Sequence, residues 1–315
     1  MNPTGLPLID ADELARRLPM PQAIQAVEQA LRAGLDPEAD IPRTVFDVDA
    51  GQLLLMPSTT SWYTGVKIAG VAPRNPVRGQ PRIIASYLLM DAATLRPKAL
   101  IDGSALTLLR TPAVSAVAVD HLAVPDSERL VVFGAGPQAW GHVEAIRAVR
   151  PISSVGVVAR RPEQAATLIK RCREAGLDAE AVSSEAVATA DIVACCTTSR
   201  TPLFPAADVA SHTVVVAIGS HEPTAREVDT EFVARATVVV EARTAALSEA
   251  GDILIPLRSG KIGTEAIAGN LFELVRGAVN VVPQRPKLFK SVGMSWQDLV
   301  VAAAAVEGRT NVAGI

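Results

Sequence analysis

The chain has 315 residues, of which 49% are hydrophobic and 20% charged, so it is neither a peptide-sized scaffold nor a disordered or fibrous protein. Its 30 Lys and Arg against 33 Asp and Glu give a formal charge of -3, which offers no broad attraction for nucleic acid or an anionic membrane. The length indicates two domains or one large one.

The cysteine content favours a reducing compartment. Cys195 and Cys196 are adjacent in an apolar run, and with Cys172 they make an improbable disulfide framework. We therefore expect a cytoplasmic protein. The N-terminus has no basic region followed by an apolar stretch, and no apolar run approaches the ~18 residues of a membrane span. Neither a targeting segment nor a membrane partner is expected.

The N-terminal part predicts two helices followed by a mostly antiparallel sheet. Asp10 with Glu13 resembles a capping box, Pro21 can start a second helix, and Gly34 can end it. A helix over 104–122 follows the sheet and is expected to bend or restart at Pro112. The alternating or short apolar runs that predict strands lie at 44–48, 52–56, 65–71, 83–90 and 98–101.

From Arg129 the pattern changes to short apolar strands that alternate with helices. The strands are LVVFG, VGVVA, DIVACC, TVVVAIG and TVVVEA. Strands without polar alternation are typical of a parallel sheet that is covered on both faces, so this part is predicted to be doubly wound. A last helix is predicted over 296–306.

The first of these strands leads into a glycine loop. Gly134 would permit the tight turn, Gly136 would let the backbone approach a pyrophosphate, and Ala139 would allow close packing of helix against strand. Pro137 and Gln138 open the helix, whose N-terminus favours phosphate. In this context the loop predicts a dinucleotide site rather than plain turn glycines.

The end of the second strand bears on the choice of dinucleotide. It reads Ala159-Arg160-Arg161, where a site for NAD would usually carry an acidic residue against the ribose. Arginine there suits a 2'-phosphate, so NADP(H) is predicted, with NAD(H) as the alternative. Arg160 and Arg161 are otherwise solvated residues ahead of the next helix.

Two cationic residues, Lys67 and Arg110, are each predicted to share a face with apolar residues. Strand alternation places Lys67 on the face of Ala69 and Val71, and Arg110 shares its helix face with apolar residues. Both either extend to water or meet an anion, because burying an unpaired charge costs several kcal/mol. Since this part of the chain offers no obvious acidic partner, the cations suggest a pocket for a carboxylate. Arg43 is uninformative by itself.

Ligands of doubly wound sheets bind beyond the carboxyl ends of the strands. Thr197, Thr198 and Gly219 follow two of the strands and are expected to contact the cofactor. His221, in the loop after Gly219, titrates near neutrality and either exchanges a proton or is an ordinary surface histidine.

The whole chain resembles the ornithine cyclodeaminase and mu-crystallin family. The stretches that carry the resemblance are VKIAG, PRIIASYLLMDAATLRPKALIDGSALTLLRTPAVSA, VVFGAGPQAWGHVEAI, VVVAIGSHEPTAREVD, LSEAGD and LFKSVGMSWQDL. The resemblance implies an α/β fold with a doubly wound Rossmann domain (121–287) inserted into an α+β substrate-binding and dimerisation domain (1–120 plus 288–315). It also implies a homodimer.

The resemblance further implies roles for single residues. Positions matching Arg43, Lys67 and Arg110 bind the carboxylate and the reacting centre of the substrate. The Val292-Gly293 backbone lines the same pocket, and Thr111 and Val292 are expected to contact the cofactor. No metal site is expected.

Two departures from the cyclodeaminases bear on the reaction. His221 stands where those enzymes are similar in having an aspartate, and Ala159-Arg160 replaces their acidic residue. Both point toward the branch that resembles ketimine reductases and alanine-dehydrogenase-like enzymes, in which Glu249 matches an acidic position.

Three hypotheses follow. The first is an NAD(P)H-dependent oxidoreductase that reduces a carboxylate-bearing imine, or an amino-acid dehydrogenase in reverse, with His221 or Glu249 keeping the imine nitrogen protonated. The second is an ornithine cyclodeaminase that uses NAD. The third is a non-catalytic protein that holds NADP and a small ligand. In each case the partner is a small amino or imino acid.

Overall fold

The computed structural model describes residues 5–308, which contain ten α-helices and fourteen strands, numbered here in chain order. The helices are α1 (Ala11–Arg17), α2 (Met20–Ala33), α3 (Gly103–Leu122), α4 (Pro137–Arg147), α5 (Pro162–Glu174), α6 (Thr230–Arg235), α7 (Arg243–Glu249), α8 (Gly251–Arg258), α9 (Leu271–Val275) and α10 (Ser295–Glu307). The strands are β1 (Leu8–Ile9), β2 (Thr44–Val48), β3 (Gly51–Thr59), β4 (Tyr63–Val71), β5 (Ile83–Asp91), β6 (Pro97–Asp102), β7 (Arg129–Phe133), β8 (Ser154–Val158), β9 (Asp178–Ala181), β10 (Ile192–Cys195), β11 (Val214–Ala217), β12 (Thr237–Val240), β13 (Ile267–Asn270) and β14 (Lys287–Lys290).

These elements form two compact units. The first consists of the described residues 5–111 and 294–308, and the second is Pro112–Gly293. The first unit contains a six-stranded sheet in the order β1-β6-β5-β4-β3-β2, in which only the β1–β6 pair is parallel. The expected antiparallel sheet is therefore present, with β1 added at its edge.

One face of the first sheet is buried. Helix α10 packs against β3, β4 and β5 and also contacts α2. Met56, Lys67 and Tyr87 lie side by side on this face, because the register pairs Lys67 with Met56 on one side and with Tyr87 on the other. All three are nearly inaccessible to solvent. The sheet thus places a lysine in an apolar interior.

The helix boundaries follow from the local sequence. The Asp10 carboxylate accepts from the backbone of Glu13 at the start of α1, and Gly34 ends α2 at a φ of 112°. Asp102 accepts from the backbone of Ser104 at the start of α3. Of the bend or restart expected at Pro112, the restart is wrong, because α3 continues through Pro112, and one lost backbone hydrogen bond does not end a 20-residue helix.

The second unit contains an eight-stranded parallel sheet in the order β13-β12-β14-β11-β10-β7-β8-β9. The chain moves outward from β7 in one direction through β8 and β9, and in the other through β10 and β11. The order reverses between β7 and β10, which is where doubly wound sheets bind their ligands. The predicted fold class is confirmed.

Strand β14 lies between β11 and β12, in the middle of the parallel sheet. The domain boundary expected at residue 288 falls inside this strand, and the second unit extends to Gly293. Its sequence, KLFK, carries a lysine at each end, and both lysines are buried. A four-residue run bounded by charges has no strand signature of its own.

None of the helices within residues 5–308 has the length and apolar character that crossing a bilayer would require. In the same residues, no three His, Cys, Asp or Glu side chains are grouped so that they could hold a metal ion.

Candidate active site

Lys67 and Arg110 lie in the interior of the first unit. Lys67 on β4 is 3% exposed and Arg110 on α3 is 5% exposed. Neither side chain reaches solvent, so the alternative in which both extend to water is wrong. Buried cations need anions or strong hydrogen-bond acceptors nearby.

Asp298 on α10 is the anion that these cations meet. Its Oδ2 lies 2.6 Å from the Lys67 Nζ, and its Oδ1 lies 3.4 Å from the Arg110 Nε. The adjacent Gln297 accepts from the Arg110 Nη1 at 2.5 Å. The expectation that this part of the chain has no acidic partner was therefore wrong, because α10 folds back onto the sheet and places Asp298 beside β4.

The cluster keeps a positive balance in spite of Asp298. The charged groups that act on Lys67 are the Asp298 carboxylate and the guanidiniums of Arg110 and Arg43. Burial first, and then the two guanidiniums, lower the pKa of Lys67 to about 8, although Asp298 opposes the shift. Lys67 and Arg110 share the single carboxylate of Asp298, so the cluster can accept a further anion.

The start of α10 is fixed by a second, partly buried carboxylate. Asp40 accepts from the Trp296 backbone N–H at 3.0 Å and from the Ser58 hydroxyl at 2.7 Å. Burial raises the pKa of Asp40 to about 6, and these two hydrogen bonds oppose the rise. Because Gln297 and Asp298 directly follow Trp296, Asp40 helps to set their positions against the cations.

The glycine loop after β7 has the geometry of a phosphate-binding turn. Gly134 has a φ of +103°, and a Cβ there would lie 2.5 Å from the carbonyl oxygen of Cys196, so only glycine fits. Gly136 caps α4, and a Cβ built on it would meet open space. Ala139 is completely buried. The loop therefore leaves room for a pyrophosphate above Gly136, and these residues fit a dinucleotide.

The other residues expected at the dinucleotide lie along one edge of the parallel sheet. The strands pair in register, so Phe133, Cys195, Ala217 and Lys290 form one row at their carboxyl ends. The residues just beyond this row are Gly134, Gly136, Pro137 and Gln138 after β7, Thr197 and Thr198 after β10, Gly219 after β11 and Val292 after β14. Their common edge is the one at which such sheets bind ligands.

Arg160 and Arg161 follow β8 at the same edge. Both are exposed, and Arg161 is the N-cap residue of α5. Val158 and Ala159, which precede them, carry no acidic group. The two guanidiniums therefore give the turn after β8 a positive charge.

The remaining predicted residues differ in their surroundings. His221 is exposed in the loop after β11, and Glu249 is the partly buried last residue of α7. Thr111 is 8% exposed on α3, directly after Arg110. Arg43 is partly buried just before β2.

Several buried polar residues were missed from the sequence. Asp298 directly precedes a long apolar run in the helix SWQDLVVAAAAVE, and an acid beside such a run is a signal that could have been used. Glu241, 1% exposed after β12, accepts from the Val292 backbone N–H at 2.7 Å and so fixes an expected cofactor contact. Glu227, Asp252 and Lys290 form a further buried group at the same edge.

Comparison with known proteins identifies the family. The sequence profile described as the ornithine cyclodeaminase/mu-crystallin family matches residues 8–311. The chain belongs to this family. A Δ1-pyrroline-2-carboxylate reductase of Bacillus cereus is 33% identical over 311 residues, covering 94% of each chain.

Two solved structures of the family are similar over nearly the whole length. Thermococcus litoralis Δ1-pyrroline-2-carboxylate reductase in complex with NADH and L-proline has a TM-score of 0.91 and 32% identity, covering 96% of this chain and 97% of the other. An archaeal alanine dehydrogenase dimer with bound NAD has a TM-score of 0.90 and 28% identity, covering 96% and 95%. The predictions of the family, of the fold class and of an NAD(P)-dependent oxidoreductase are confirmed.

Proposed function

We propose that the chain is an NAD(P)H-dependent reductase of a small imine that bears a carboxylate, or the corresponding amino-acid dehydrogenase in reverse. The observation that carries the proposal is the buried cluster of Lys67, Arg110 and Asp298, in which cations outnumber the anion. Family relatives that reduce pyrroline-2-carboxylate or act on alanine support this assignment.

The substrate carboxylate completes the charge balance of the cluster. Arg110 is already oriented by Gln297 and Asp298, so its guanidinium is held in place before a ligand arrives. A planar guanidinium binds a carboxylate through two parallel hydrogen bonds, which fix the orientation as well as the position of the acid. Arg43 adds a further positive charge to the same surroundings.

Lys67 is suited to hold or transfer a proton near neutral pH. With a pKa of about 8 it is mostly protonated at pH 7, yet it gives up a proton more easily than an ordinary lysine. Asp298 fixes its Nζ from one side at 2.6 Å. In the proposed role Lys67 donates to the carboxylate or, through a water, to the reacting nitrogen, and His221 or Glu249 keeps that nitrogen protonated.

The second unit holds the dinucleotide in the proposal. Gly134 and Gly136 form the turn for the pyrophosphate, and Thr197, Gly219 and Val292 line the carboxyl ends of the neighbouring strands. When bound, the reduced nicotinamide supplies the hydride for the imine carbon.

The test of this function is oxidation of NADPH and NADH against a panel of substrates. Five- and six-membered cyclic imino acids, and α-keto acids supplied with ammonia, cover the two forms of the proposal. Turnover of at least one member supports it. Proline and ammonia formed from ornithine with catalytic NAD⁺ would replace it by a cyclodeaminase, and tight NADPH binding without any turnover would replace it by a binding protein.

The cofactor preference is a separate proposal, for NADP(H) over NAD(H). Wild-type protein is expected to bind NADPH about tenfold more tightly than NADH, because Arg160 and Arg161 follow β8 as exposed residues, and arginine after the second strand suits a 2'-phosphate. The Arg160→Ala, Arg161→Ala double variant should lose this difference by weakening NADPH alone. Dissociation constants from titration calorimetry measure it.

A matched control is Arg285→Ala, which removes an exposed arginine ahead of β14, at the opposite edge of the sheet. It should leave both dissociation constants unchanged. Tighter binding of NADH by the wild type would mean that the two arginines are merely solvated.

We also propose that the chain forms a homodimer through the uncovered face of the first sheet. Ile68, Ile84 and Leu100 are 45%, 49% and 36% exposed on the face opposite Lys67, so this face presents apolar side chains that a partner would cover. A second copy of the chain is the proposed partner, by analogy with the archaeal alanine dehydrogenase dimer.

The Ile68→Glu, Ile84→Glu double variant is expected to sediment as a monomer of 33.0 kDa, whereas the wild type should have twice that mass. Val77→Glu changes an equally apolar but 91% exposed residue of another segment and should leave the dimer intact. A monomeric wild type would contradict the proposal.

The cytoplasmic location expected from the cysteines is kept as a proposal. Cys172, Cys195 and Cys196 are all free thiols in the structure. Free thiols at these positions are compatible with a reducing compartment.

A further inference from the structure

Glu227 joins the loops that follow β10 and β11. Its Oε1 accepts from the Thr197 backbone N–H at 2.8 Å and from the Thr197 hydroxyl at 2.7 Å. Its Oε2 accepts from the Gly219 backbone N–H at 2.7 Å. One fully buried carboxylate therefore holds two neighbouring loops at the carboxyl edge of the parallel sheet.

Asp252 and Lys290 hold Glu227 in turn. The Asp252 Oδ1 accepts from the backbone N–H groups of Glu227 and Val228 at 2.7 and 3.0 Å. Its Oδ2 pairs with the Lys290 Nζ at 2.8 Å, and the same Nζ donates to the Ser220 carbonyl at 2.6 Å. Asp252 and Lys290 are at most 1% exposed, so this group fixes the Glu227 backbone from two further elements, α8 and β14.

The two loops approach each other so closely that there is no space for a side chain at position 219. A Cβ at Gly219 would overlap the carbonyl oxygen of Thr197 and lie 2.5 Å from the Oε1 of Glu227. The glycine at this position therefore serves the contact between the loops and the carboxylate. Since Thr197 and Gly219 are proposed cofactor contacts, any movement of Glu227 changes the shape of the cofactor site.

We propose that Glu227 is a positioning residue for dinucleotide binding, which holds the Thr197 and Gly219 loops in their binding geometry as long as its carboxylate is ionised. This inference rests on the proposed function for the identity of the ligand. This role differs from that of the glycine loop after β7, which is proposed to contact the dinucleotide directly. Glu227 acts only through the two loops that it holds.

The surroundings of Glu227 place its ionisation near neutral pH. Burial and the neighbouring Asp252 carboxylate raise the pKa of Glu227 to about 7, whereas Lys290 and the Thr197 hydrogen bonds oppose the rise. The other titratable groups that face it are the Cys195 and Cys196 thiols, whose pKa values burial and Glu227 raise well above the ordinary value. These thiols therefore stay neutral in this range.

Protonation of the Glu227 carboxylate weakens its hydrogen bonds to the Thr197 and Gly219 loops. An ionised carboxylate is an acceptor only and matches the three donors that converge on it, whereas the protonated acid carries a donor of its own. The hydrogen bonds from the two loop N–H groups to the neutral acid are then no longer charge-assisted and are weaker. The bound geometry is thus expected to be held above pH 7 and loosened below it.

The experiment compares the wild type, Glu227→Gln and Asp191→Asn by amide hydrogen exchange and by dinucleotide titration between pH 6 and 8.5. In Glu227→Gln, the hydrogen-exchange protection factors of the Thr197 and Gly219 amides should be about tenfold smaller than in the wild type. The variant should also bind NADPH or NADH about tenfold more weakly. In the wild type, intrinsic-rate-corrected protection and affinity should both fall as the pH is lowered through about 7. In the variant neither should depend on pH in this range.

Asp191→Asn is the matched control. Asp191 accepts from the backbone N–H groups of Glu128 and Arg129 at 3.0 and 2.9 Å, so it joins two strands in the same way at the opposite edge of the sheet. Asp191→Asn should lower the thermal stability without changing the dinucleotide affinity. The pH dependence of affinity and of exchange protection should also stay as in the wild type. Equal weakening of affinity by both variants would overturn the positioning role.

Thr197→Val provides a milder variant should Glu227→Gln fail to fold. It removes the hydroxyl that lowers the pKa of Glu227, so the pH midpoint of exchange protection should move upward. An unchanged midpoint would contradict the inference. Hydrogen exchange tests Glu227 whether or not a dinucleotide binds, whereas a wild type that binds neither dinucleotide would contradict the proposed function.

Discussion

Arg110→Ala is expected to lower kcat/KM for imine reduction by about 10²–10³-fold, mainly through a higher KM. The guanidinium is buried, oriented by Gln297 and Asp298, and proposed to bind the substrate carboxylate. Its loss removes a charge-assisted pair and leaves the buried carboxylate of the substrate without its two guanidinium hydrogen bonds, which costs about 3–4 kcal/mol. Steady-state kinetics with the substrate found in the panel measure the effect.

Arg96→Ala is the matched control for this change. Arg96 is an exposed arginine just before β6 in the same unit, so its removal should leave kcat/KM within about twofold of the wild type. Arg110→Lys should recover part of the binding, because it restores the charge without the planar pair of donors. An unchanged kcat/KM in Arg110→Ala would remove Arg110 from the substrate site.

Asp298→Asn is expected to destabilise the protein by about 3 kcal/mol and to move the alkaline limb of kcat/KM to lower pH. The substitution keeps the shape of the side chain but leaves Lys67 and Arg110 without the carboxylate between them. Because the Asp298 charge raises the pKa of Lys67, its loss should lower that pKa further below 8. Denaturant unfolding and pH–rate profiles measure the two effects.

The direction in which protein stability changes with pH follows from the pKa of Lys67. Lys67 has a pKa of about 8 in the folded chain and an ordinary value of 10.5 when unfolded. Between these pH values the unfolded chain binds more protons, so the Lys67 contribution to stability increases as the pH rises from 8 to 10.5. In Asp298→Asn this rise should begin at a lower pH.

Glu174→Gln serves as the control for Asp298→Asn. Glu174 pairs with Lys170 on an exposed turn of α5, and surface pairs of this kind contribute little. Its removal should change stability by less than about 0.5 kcal/mol and leave the pH profile unaltered. A stable Asp298→Asn with the wild-type pH profile would contradict the account of the cluster.

The elements with a clear periodicity could be predicted from the sequence. The apolar strands before Gly134, Arg160 and Gly219 specified a parallel sheet, and this determined which loops share its carboxyl edge. The alternation around Lys67 placed it on an apolar face, and the structure buries it there. In both cases the side-chain pattern within one element was sufficient.

What could not be predicted depends on contacts between distant segments. Asp298 lies 231 residues beyond Lys67, and nothing in α10 alone shows that it returns to β4. Strand β14 has too few residues for a periodic pattern and is specified by the neighbours that it fits between. Glu227 stands in a polar stretch that reads as an ordinary loop, and only the fold shows that its carboxylate is buried.

A crystal structure with NADPH and L-proline bound tests whether Arg110 and Lys67 bind the substrate carboxylate. We expect the carboxylate of the bound amino acid to lie about 3 Å from donors of both Arg110 and Lys67, with Asp298 still paired to the lysine. A carboxylate bound elsewhere, with Lys67 and Arg110 contacting only Asp298 and Gln297, would contradict it.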